Sequence, residues 1–320
     1  MKIISAEEVH EALKYPDFVN ILKEAYSGSY TMPQRKVFLL EEGSHDAFAL
    51  LPSWNDNVIG VKSFTYFPHN EDPYKSLYSK ILLFDRKHGE PLALVDGTSV
   101  TFFRTAGVSA LSSQFLSREN SENFLLLGTG NLARFLIRAH ASVRALKKIM
   151  IWGRTKANAQ AVVDDMQKEL PEIEFVVADN IQTACGQADI VVAATGSPDI
   201  LVQGDWIKEG THTDFIGNHH ADKRECDTAL VVKSKVYLDT YVNCFNEAGE
   251  VLLPIEEGVF KKEDIKGELA ELCMAKVKGR ENDSEITLFK SVGSALSDLV
   301  GANHAFQSLS KSQKFSKKIK

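Results

Sequence analysis

The chain lacks the features that mark a membrane protein, a disulfide-bonded scaffold or a nucleic-acid-binding protein. Its 320 residues include only four cysteines, widely spaced and without a CxxC pair, so neither a metal site nor disulfides are expected. No apolar run approaches the ~20 residues of a membrane span, and the N-terminus has no apolar signal-peptide core. A net charge of −6 gives no general attraction to nucleic acid. We therefore expect a cytoplasmic protein that acts on a small molecule, without membrane or nucleic-acid partners.

The order of the predicted elements indicates two domains. Residues 1–27 have a helical pattern broken at Pro16, and five short strands follow at 37–40, 47–51, 59–64, 79–85 and 91–96. A helix over 101–116 leads into strands and helices that alternate, which is typical of a doubly wound parallel sheet. A further helix is predicted over 287–300. The expected fold class is α/β, with a Rossmann-type domain over 117–292 and an α+β domain formed by 1–116 and 293–320.

The segment 123–155 carries the strongest signal. A strand at 124–127 is followed by Gly128-Thr129-Gly130-Asn131-Leu132-Ala133, an amphipathic helix and a second strand at 149–152. This ~30-residue strand–turn–helix–strand unit is typical of a dinucleotide-binding site. Gly128 allows the tight turn, Gly130 lets the backbone approach a pyrophosphate, and the helix N-terminus favours the phosphate charge.

The end of the second strand bears on the choice of cofactor. NAD sites usually place an acidic residue there to bind the ribose hydroxyl, whereas this chain has Gly153-Arg154-Thr155-Lys156. A guanidinium and a hydroxyl suit a 2′-phosphate. We expect NADPH to be preferred, with NADH as the alternative cofactor. A solvated basic turn in which Thr155 caps the next helix is the structural alternative.

Three cations in the first domain are candidates for binding an anionic substrate. Lys62 lies within an apolar strand, where a lysine seldom occurs without a partner. Its structural alternative is an outward residue on an edge strand. Arg35 and Arg104 have the alternative of ordinary surface or salt-bridged arginines. Together with a dinucleotide site, the three cations predict a pocket for a carboxylate.

A histidine is the candidate for proton transfer. His219 and His220 lie in the segment 214–225, which follows a predicted strand and therefore falls at its carboxyl end. A histidine titrates near neutral pH and suits acid–base chemistry. The structural alternative is a pair of solvated loop histidines. Adjacent histidines point in different directions and make a poor metal pair.

These motifs together resemble the ornithine cyclodeaminase/mu-crystallin family along nearly the whole chain. The most specific of them is the run DGTxxTxxRTAxxS within 93–110. The other matching segments are 32–35, 60–64, 126–135, 151–159, 217–225, 247–254 and 289–295. The segment 153–156 is most similar to that of the NADPH-binding ketimine reductases of the family.

The resemblance implies a homodimer built on an extended barrel-like sheet, and it implies roles for individual residues. Arg35, Lys62 and Arg104 take the positions that hold the substrate carboxylate. The positions implied for the cofactor are Gly128, Thr129, Gly130, Asn131, Leu132, Arg154, Thr155, Lys156, Thr195, Lys290 and Ser291.

One departure from the family pattern distinguishes among its activities. Ornithine cyclodeaminases carry an aspartate in the Gly217 loop that handles the substrate amine, and this chain has His219 there. A histidine cannot supply the charge that stabilises a cationic diamine. We therefore expect an NAD(P)H-dependent reductase that converts Δ1-pyrroline-2-carboxylate to L-proline and Δ1-piperideine-2-carboxylate to L-pipecolate, with Lys62 and His219 as catalytic residues. Ornithine cyclodeaminase, alanine dehydrogenase and a non-catalytic ligand-binding protein are the alternatives.

Overall fold

The structure is a computed structural model that describes residues 1–197 and 199–318, with side chains as far as 310. The chain divides into two compact units, one formed by 1–105 and 294–320 and the other by 106–293. The sequence predicts these boundaries at 116/117 and 292/293. The first boundary differs because a single helix runs through it without a break, so the hydrophobic pattern changes only where that helix ends.

The first unit is a mixed sheet with helices packed on it. Its elements up to the boundary are β1 (Lys2–Ile4), α1 (Ala6–Ala12), α2 (Asp17–Ser27), β2 (Tyr30–Thr31), β3 (Lys36–Leu39), β4 (Ala47–Asn55), β5 (Val58–Tyr66), β6 (Leu77–Asp85), β7 (Pro91–Asp96) and α3 (Gly97–Leu116). The described strands form a seven-stranded sheet in the order β1-β7-β6-β5-β4-β2, with β3 also paired to β4. Only the β1–β7 pair is parallel within this described sheet.

Local sequence explains the helices at the N-terminus. Ser5 caps α1 by accepting a hydrogen bond from the backbone of Glu8, whose carboxylate in turn accepts from the backbone N–H of Ser5. Pro16 separates α1 from α2, as the sequence predicts. The short strand β1 lies inside the predicted helical region 1–27, and a segment of three residues carries too little periodicity to identify it.

The second unit is a doubly wound parallel sheet, as predicted. Its elements are β8 (Asn123–Leu127), α4 (Ala133–Ala141), β9 (Lys148–Trp152), α5 (Lys156–Glu169), β10 (Glu174–Val177), α6 (Ile181–Gln187), β11 (Ile190–Ala193), β12 (His212–Phe215), α7 (Thr228–Lys233), β13 (Lys235–Leu238), α8 (Tyr241–Glu247), α9 (Gly249–Glu256), β14 (Gly267–Glu268), α10 (Leu269–Cys273) and β15 (Thr287–Lys290). In the described residues these strands form an eight-stranded sheet in the order β10-β9-β8-β11-β12-β15-β13-β14. The strand order reverses between β8 and β11, where ligands bind in such sheets.

The predicted helix over 287–300 is wrong in its first part. Residues 287–290 form β15, a fully buried strand inserted between β12 and β13. The helix α11 (Ala295–Lys318) begins only after Gly293, whose φ of 93° ends the strand segment. A buried parallel strand reads as a short apolar run without alternation, so periodicity does not distinguish it from a helical turn. No helix in the described part of the chain is long and apolar enough to cross a membrane.

Candidate active site

The glycine turn after β8 has the geometry of a phosphate-binding turn. Gly128 has a φ of 124°, and a β-carbon there would lie 2.5 Å from the carbonyl oxygen of Ala194. Only glycine tolerates both conditions. A β-carbon on Gly130 would meet nothing within 4 Å, so its backbone faces open space. The α4 helix begins at the buried Ala133, and its N-terminus can accept a pyrophosphate.

The residues after β9 present exposed polar groups. Arg154 and Thr155 are exposed, and Arg154 forms no hydrogen bond or ion pair with the residues that the structure describes. Thr155 occupies the N-cap position of α5, but its hydroxyl makes no capping hydrogen bond. Lys156 pairs with the exposed Asp179 at 2.6 Å. The structural alternative for Thr155, a helix cap, is therefore not realised.

A buried carboxylate joins the loops that follow β11 and β12. Glu225 accepts hydrogen bonds from the backbone N–H and the hydroxyl of Thr195 at 2.8 and 2.7 Å, and from the backbone N–H of Gly217 at 2.9 Å. A β-carbon on Gly217 would lie 2.1 Å from the carbonyl oxygen of Thr195, so the two loops touch through their backbones. Burial raises the pKa of Glu225, and Lys290 opposes this effect.

Lys290 and Ser291 lie under these loops, in buried positions. The Lys290 ammonium pairs with Glu250 at 2.7 Å and donates to the carbonyl oxygen of Asn218 at 2.6 Å. Burial acts to lower the pKa of Lys290, but Glu250 and Glu225 outweigh it and raise the pKa, so the ammonium stays charged. Ser291 donates to Asp239 at 2.8 Å. Both side chains form hydrogen bonds within the protein interior. Lys290 holds the backbone of the Gly217 loop, and Ser291 binds Asp239, which also accepts from the backbone of residues 292 and 293.

His219 has an exposed ring on a restrained backbone. The carbonyl of the preceding Asn218 is held by Lys290, and the carbonyl of the following His220 accepts from Lys223 and Gly249. The two imidazoles stack with their centroids 5.0 Å apart and their planes at 24°. The loop therefore presents an imidazole pair to solvent at the carboxyl end of β12.

In the first unit, Lys62 and Arg104 converge on one carboxylate. Asp298, on α11, accepts from the Lys62 ammonium at 3.2 Å and from Nε of Arg104 at 3.1 Å through the same oxygen, Oδ1. The Lys62 ammonium also donates to the Thr101 hydroxyl at 2.6 Å. β5 is paired on both sides, by β4 and β6, and Lys62 is 5% exposed. The alternative of an outward lysine on an edge strand is thus excluded.

The electrostatics of this cluster favour an anion. Burial lowers the pKa of Lys62 to about 8 against the effect of Asp298, and the positive charges of Arg104 and Arg35 lower it further. The half-buried Arg35 is therefore within electrostatic reach of Lys62. Lys62 and Arg104 together carry one more positive charge than Asp298 neutralises, and a carboxylate ligand would partly neutralise that excess.

The sequence patterns do not identify three buried carboxylates, those of Asp298, Glu225 and Glu250. Each is buried, and each has partners that lie far away in the chain: 236 residues separate Lys62 from Asp298, and 30 separate Thr195 from Glu225. A local pattern does not contain such pairings. The one available signal was that a charged residue in an apolar helical pattern, as in Ser297-Asp298-Leu299, is rarely buried without a partner.

The fold is that of the Rossmann-type dinucleotide-binding class, extended by an α+β unit. The chain belongs to the ornithine cyclodeaminase/mu-crystallin family, whose model matches residues 2–313. This confirms the family resemblance that the motifs indicated.

Proteins that resemble this chain over almost its whole length include members of the family with named activities. A Δ(1)-pyrroline-2-carboxylate reductase from Colwellia psychrerythraea is 47% identical over 314 residues, which cover 97% of this chain and 99% of that relative. The structure of the Thermococcus litoralis Δ(1)-pyrroline-2-carboxylate reductase with NADH and L-proline matches with a TM-score of 0.92 at 32% identity, and covers 98% of each chain. An archaeal alanine dehydrogenase dimer with bound NAD matches with a TM-score of 0.90 at 26% identity, covering 98% of this chain and 97% of that one.

Proposed function

We propose that the protein is an NAD(P)H-dependent reductase of cyclic ketimines that converts Δ1-pyrroline-2-carboxylate to L-proline. The six-membered homologue Δ1-piperideine-2-carboxylate is proposed as a second substrate, giving L-pipecolate. The observation that carries this proposal is the buried cluster of Lys62, Arg104 and Asp298, with Arg35 nearby, which suits a small carboxylate. The similarity to pyrroline-2-carboxylate reductases over almost the whole chain supports the same substrate.

The carboxylate of the substrate would be held by the cation cluster. Asp298 uses only Nε of Arg104, and the two terminal nitrogens form no hydrogen bond with the described residues. A guanidinium edge with two free N–H donors matches a carboxylate bidentately. Of the three donors on the Lys62 ammonium, Thr101 and Asp298 use two, which leaves one for the substrate. Arg35 would complete the clamp, and much of the rate would come from positioning.

The cofactor would be held in the second unit by the turn Gly128–Leu132, with Thr129 and Asn131, and by the loop at Thr195. The positive φ of Gly128, the open space at Gly130 and the free N-terminus of α4 fit a pyrophosphate. When bound, a reduced nicotinamide cofactor supplies the hydride that turns C=N into CH–NH. Lys290 and Ser291 would act from beneath, by holding the backbone of the neighbouring segments.

We propose that NADPH is preferred over NADH. Relatives of this fold bind NADH or NAD, so the preference rests on this chain's own Arg154, Thr155 and Lys156. An exposed guanidinium and a hydroxyl that caps no helix are available to a 2′-phosphate.

The reduction also requires a proton on the ring nitrogen. His219 and Lys62 are the two proposed donors. Lys62, with a pKa of about 8, is charged at neutral pH and can give up a proton more easily than an ordinary lysine. His219 has an exposed imidazole on a fixed backbone, which suits exchange of protons with solvent.

Oxidation of NADPH at 340 nm with Δ1-pyrroline-2-carboxylate tests the activity directly. Formation of L-proline, at a rate above that of L-ornithine with NAD+, is the expected result. Release of ammonia from ornithine as the faster reaction would identify a cyclodeaminase instead. Because an alanine dehydrogenase shares the fold, pyruvate with ammonia belongs in the same panel. Cofactor binding without turnover of any of these would point to a ligand-binding protein.

We also propose that the protein forms a homodimer through the first unit. The strand β3 is exposed at all four positions although three of them are apolar. Exposed apolar edge strands are normally covered by another strand. A relative of this fold forms a dimer, and a second copy of β3 is the proposed partner.

A further inference from the structure

We propose that Asp298 is a positioning residue of the substrate site, which holds Lys62 and Arg104 in the arrangement and charge state that bind the substrate carboxylate. The inference rests on the proposed reductase function, and it makes the helix α11 a part of the site.

Among the described residues, the carboxylate of Asp298 forms hydrogen bonds only with the two cations. Its Oδ1 accepts from Lys62 at 3.2 Å and from Arg104 at 3.1 Å, and Oδ2 has no hydrogen-bond partner among the described residues. The side chain is 2% exposed. A carboxylate this deeply buried is retained only if its charge is compensated, and here both compensating charges are substrate-binding candidates.

The arrangement leaves a defined set of donors for a ligand. Asp298 takes Nε of Arg104, so the pair of terminal nitrogens remains together on one edge of the guanidinium. Asp298 and Thr101 together take two of the three N–H groups of Lys62, and Thr101 is itself oriented by donating to the Gly97 carbonyl at 2.6 Å. Asp298 therefore determines which donors of each cation remain free.

Asp298 also opposes the repulsion within the cluster. Lys62 on β5 is faced by Asp298 from α11, by Arg104 and Thr101 from α3, and by Arg35 from the segment between β2 and β3. Among these groups Asp298 is the anion. Without Asp298, the buried ammonium of Lys62 would face the buried Arg104 and the half-buried Arg35, and it would release its proton at a lower pH.

The packing of α11 brings Asp298 to this place. A β-carbon on Gly60 of β5 would lie 2.6 Å from Leu299, the residue that follows Asp298. The glycine thus allows α11 to lie close to β5, two residues before Lys62. Ser297, on the other side of Asp298, bonds to the Ser294 carbonyl and does not contact the cations.

The test measures the titration of Lys62 separately from activity. NMR spectra of protein labelled at the lysine ε-carbon follow each ammonium with pH, and Lys62→Arg identifies the signal. In Asp298→Asn we expect Lys62 to titrate about one to three pH units lower than in the parent. Asp298→Glu should restore the titration towards the parent, and Ser297→Ala, a control on the same helix turn, should leave it unchanged.

Kinetics and binding then connect the titration to the site. In Asp298→Asn the KM for the imine should rise roughly tenfold or more, the alkaline limb of kcat/KM should move to lower pH, and L-proline should bind more weakly in calorimetry. If the parent does not reduce the imine, the proposed function fails while the NMR titration still tests Asp298. If the parent is active and Lys62 titrates identically in Asp298→Asn, the inference alone is wrong.

A second variant covers a failure of Asp298→Asn to fold. In Arg104→Gln the carboxylate of Asp298 pairs with Lys62 alone, and the positive charge that repels Lys62 is removed. Lys62 should therefore titrate at a higher pH than in the parent. An unchanged or lower titration in Arg104→Gln would overturn the shared role of Asp298.

Discussion

At the scale of single residues, Arg154 provides the sharpest test of cofactor choice. Its exposed guanidinium has no partner among the described residues, and only NADPH carries the 2′-phosphate that it would bind. In Arg154→Ala we expect the affinity for NADPH to fall ~10- to 150-fold relative to NADH, since a charge-assisted contact contributes roughly 1.5–3 kcal/mol. Titrations with each cofactor measure this. Lys168→Ala, at the far end of α5, is the control, and equal losses for both cofactors would make Arg154 a structural residue.

Single-residue variants also distinguish substrate binding from proton transfer. Arg104→Ala should remove most activity at every pH, because an arginine remains charged throughout. The parent should lose activity as the pH rises through about 8, where Lys62 gives up its proton. If His219 transfers the proton, the parent should show a further limb in its pH profile near pH ~6–8.

The histidine limb can be assigned by a matched pair of variants. His219→Ala should remove that limb and keep the one at about 8 from Lys62. His220→Ala, which alters the ring stacked on His219, should keep both limbs. If the profile changes only in His220→Ala, the proton-transfer role belongs to His220, and if it changes in neither, Lys62 supplies the proton.

At the scale of elements, the buried cluster formed by α3, α4 and β12 gives a prediction about stability. Asp214, at β12, accepts from the Ser109 hydroxyl at 2.5 Å, and that hydroxyl also contacts His140 at 2.9 Å. Burial raises the pKa of Asp214 to about 7 and lowers the pKa of His140 to about 3. The folded protein therefore keeps a proton on Asp214 that the unfolded chain loses near pH ~4.

The sign of the resulting pH dependence is fixed by this difference. Between pH ~4 and ~7 the folded state binds more protons at Asp214 than the unfolded state, so its contribution to the free energy of unfolding falls as the pH rises. Asn has no such proton. We expect the stability of Asp214→Asn relative to the parent to improve from pH 5 to pH 8 by roughly 2.7 kcal/mol, because a pKa of about 7 leaves about two pH units of proton release in this range at ~1.36 kcal/mol each.

Melting temperatures of the parent and Asp214→Asn at the two pH values measure this difference. His140 changes the free energy of unfolding with pH in the opposite sense. Both proteins contain His140, so its effect cancels in the difference between them. Asp165→Asn is the control, because hydrogen bonds from Arg134 lower the pKa of that exposed carboxyl and it should show no such improvement. A constant difference across the pH range would mean that Asp214 is ionised in the fold.

Most elements could be predicted because their patterns are local. The strand–turn–helix unit around Gly128 and the strands β4 to β7 show clear periodicity and turn residues, and the structure contains them. The sequence predicts helix where β15 lies, because a fully buried strand of four residues has no alternation. Asp298 was missed for a different reason: its function depends on pairing with Lys62 and Arg104, which only the tertiary fold brings to it.

At the scale of the whole molecule, the candidate sites for substrate and cofactor lie in different units. The candidate substrate cations belong to the first unit and the dinucleotide turn to the second. The order of the motifs along the chain predicts a division of this kind. The residues that hold each site in place, Asp298 in the first unit and Glu225 in the second, come from elements that follow the motifs by many residues. Composition and motif spacing cannot identify such positioning residues, because the roles of these residues arise from tertiary packing.

Assembly is the property that depends on the molecule as a whole. Val37 and Leu39 on β3 are 54% and 64% exposed, and leaving such apolar surface in water is unfavourable. We expect the parent to have a mass of twice 35.5 kDa in light scattering coupled to size-exclusion chromatography. The double variant Val37→Glu and Leu39→Glu places two charges on the strand and should elute as a monomer of 35.5 kDa.

A matched control separates the edge strand from surface hydrophobicity in general. Val232 and Val259 in the second unit are 53% and 56% exposed, and changing both to Glu adds the same charge. That control should remain a dimer, because the proposed interface lies on β3. A monomeric parent at micromolar concentration, or a dimer that survives the two charges on β3, would show that this strand is not the contact between subunits. A monomer in both double variants would place the interface on a wider surface than the edge strand alone.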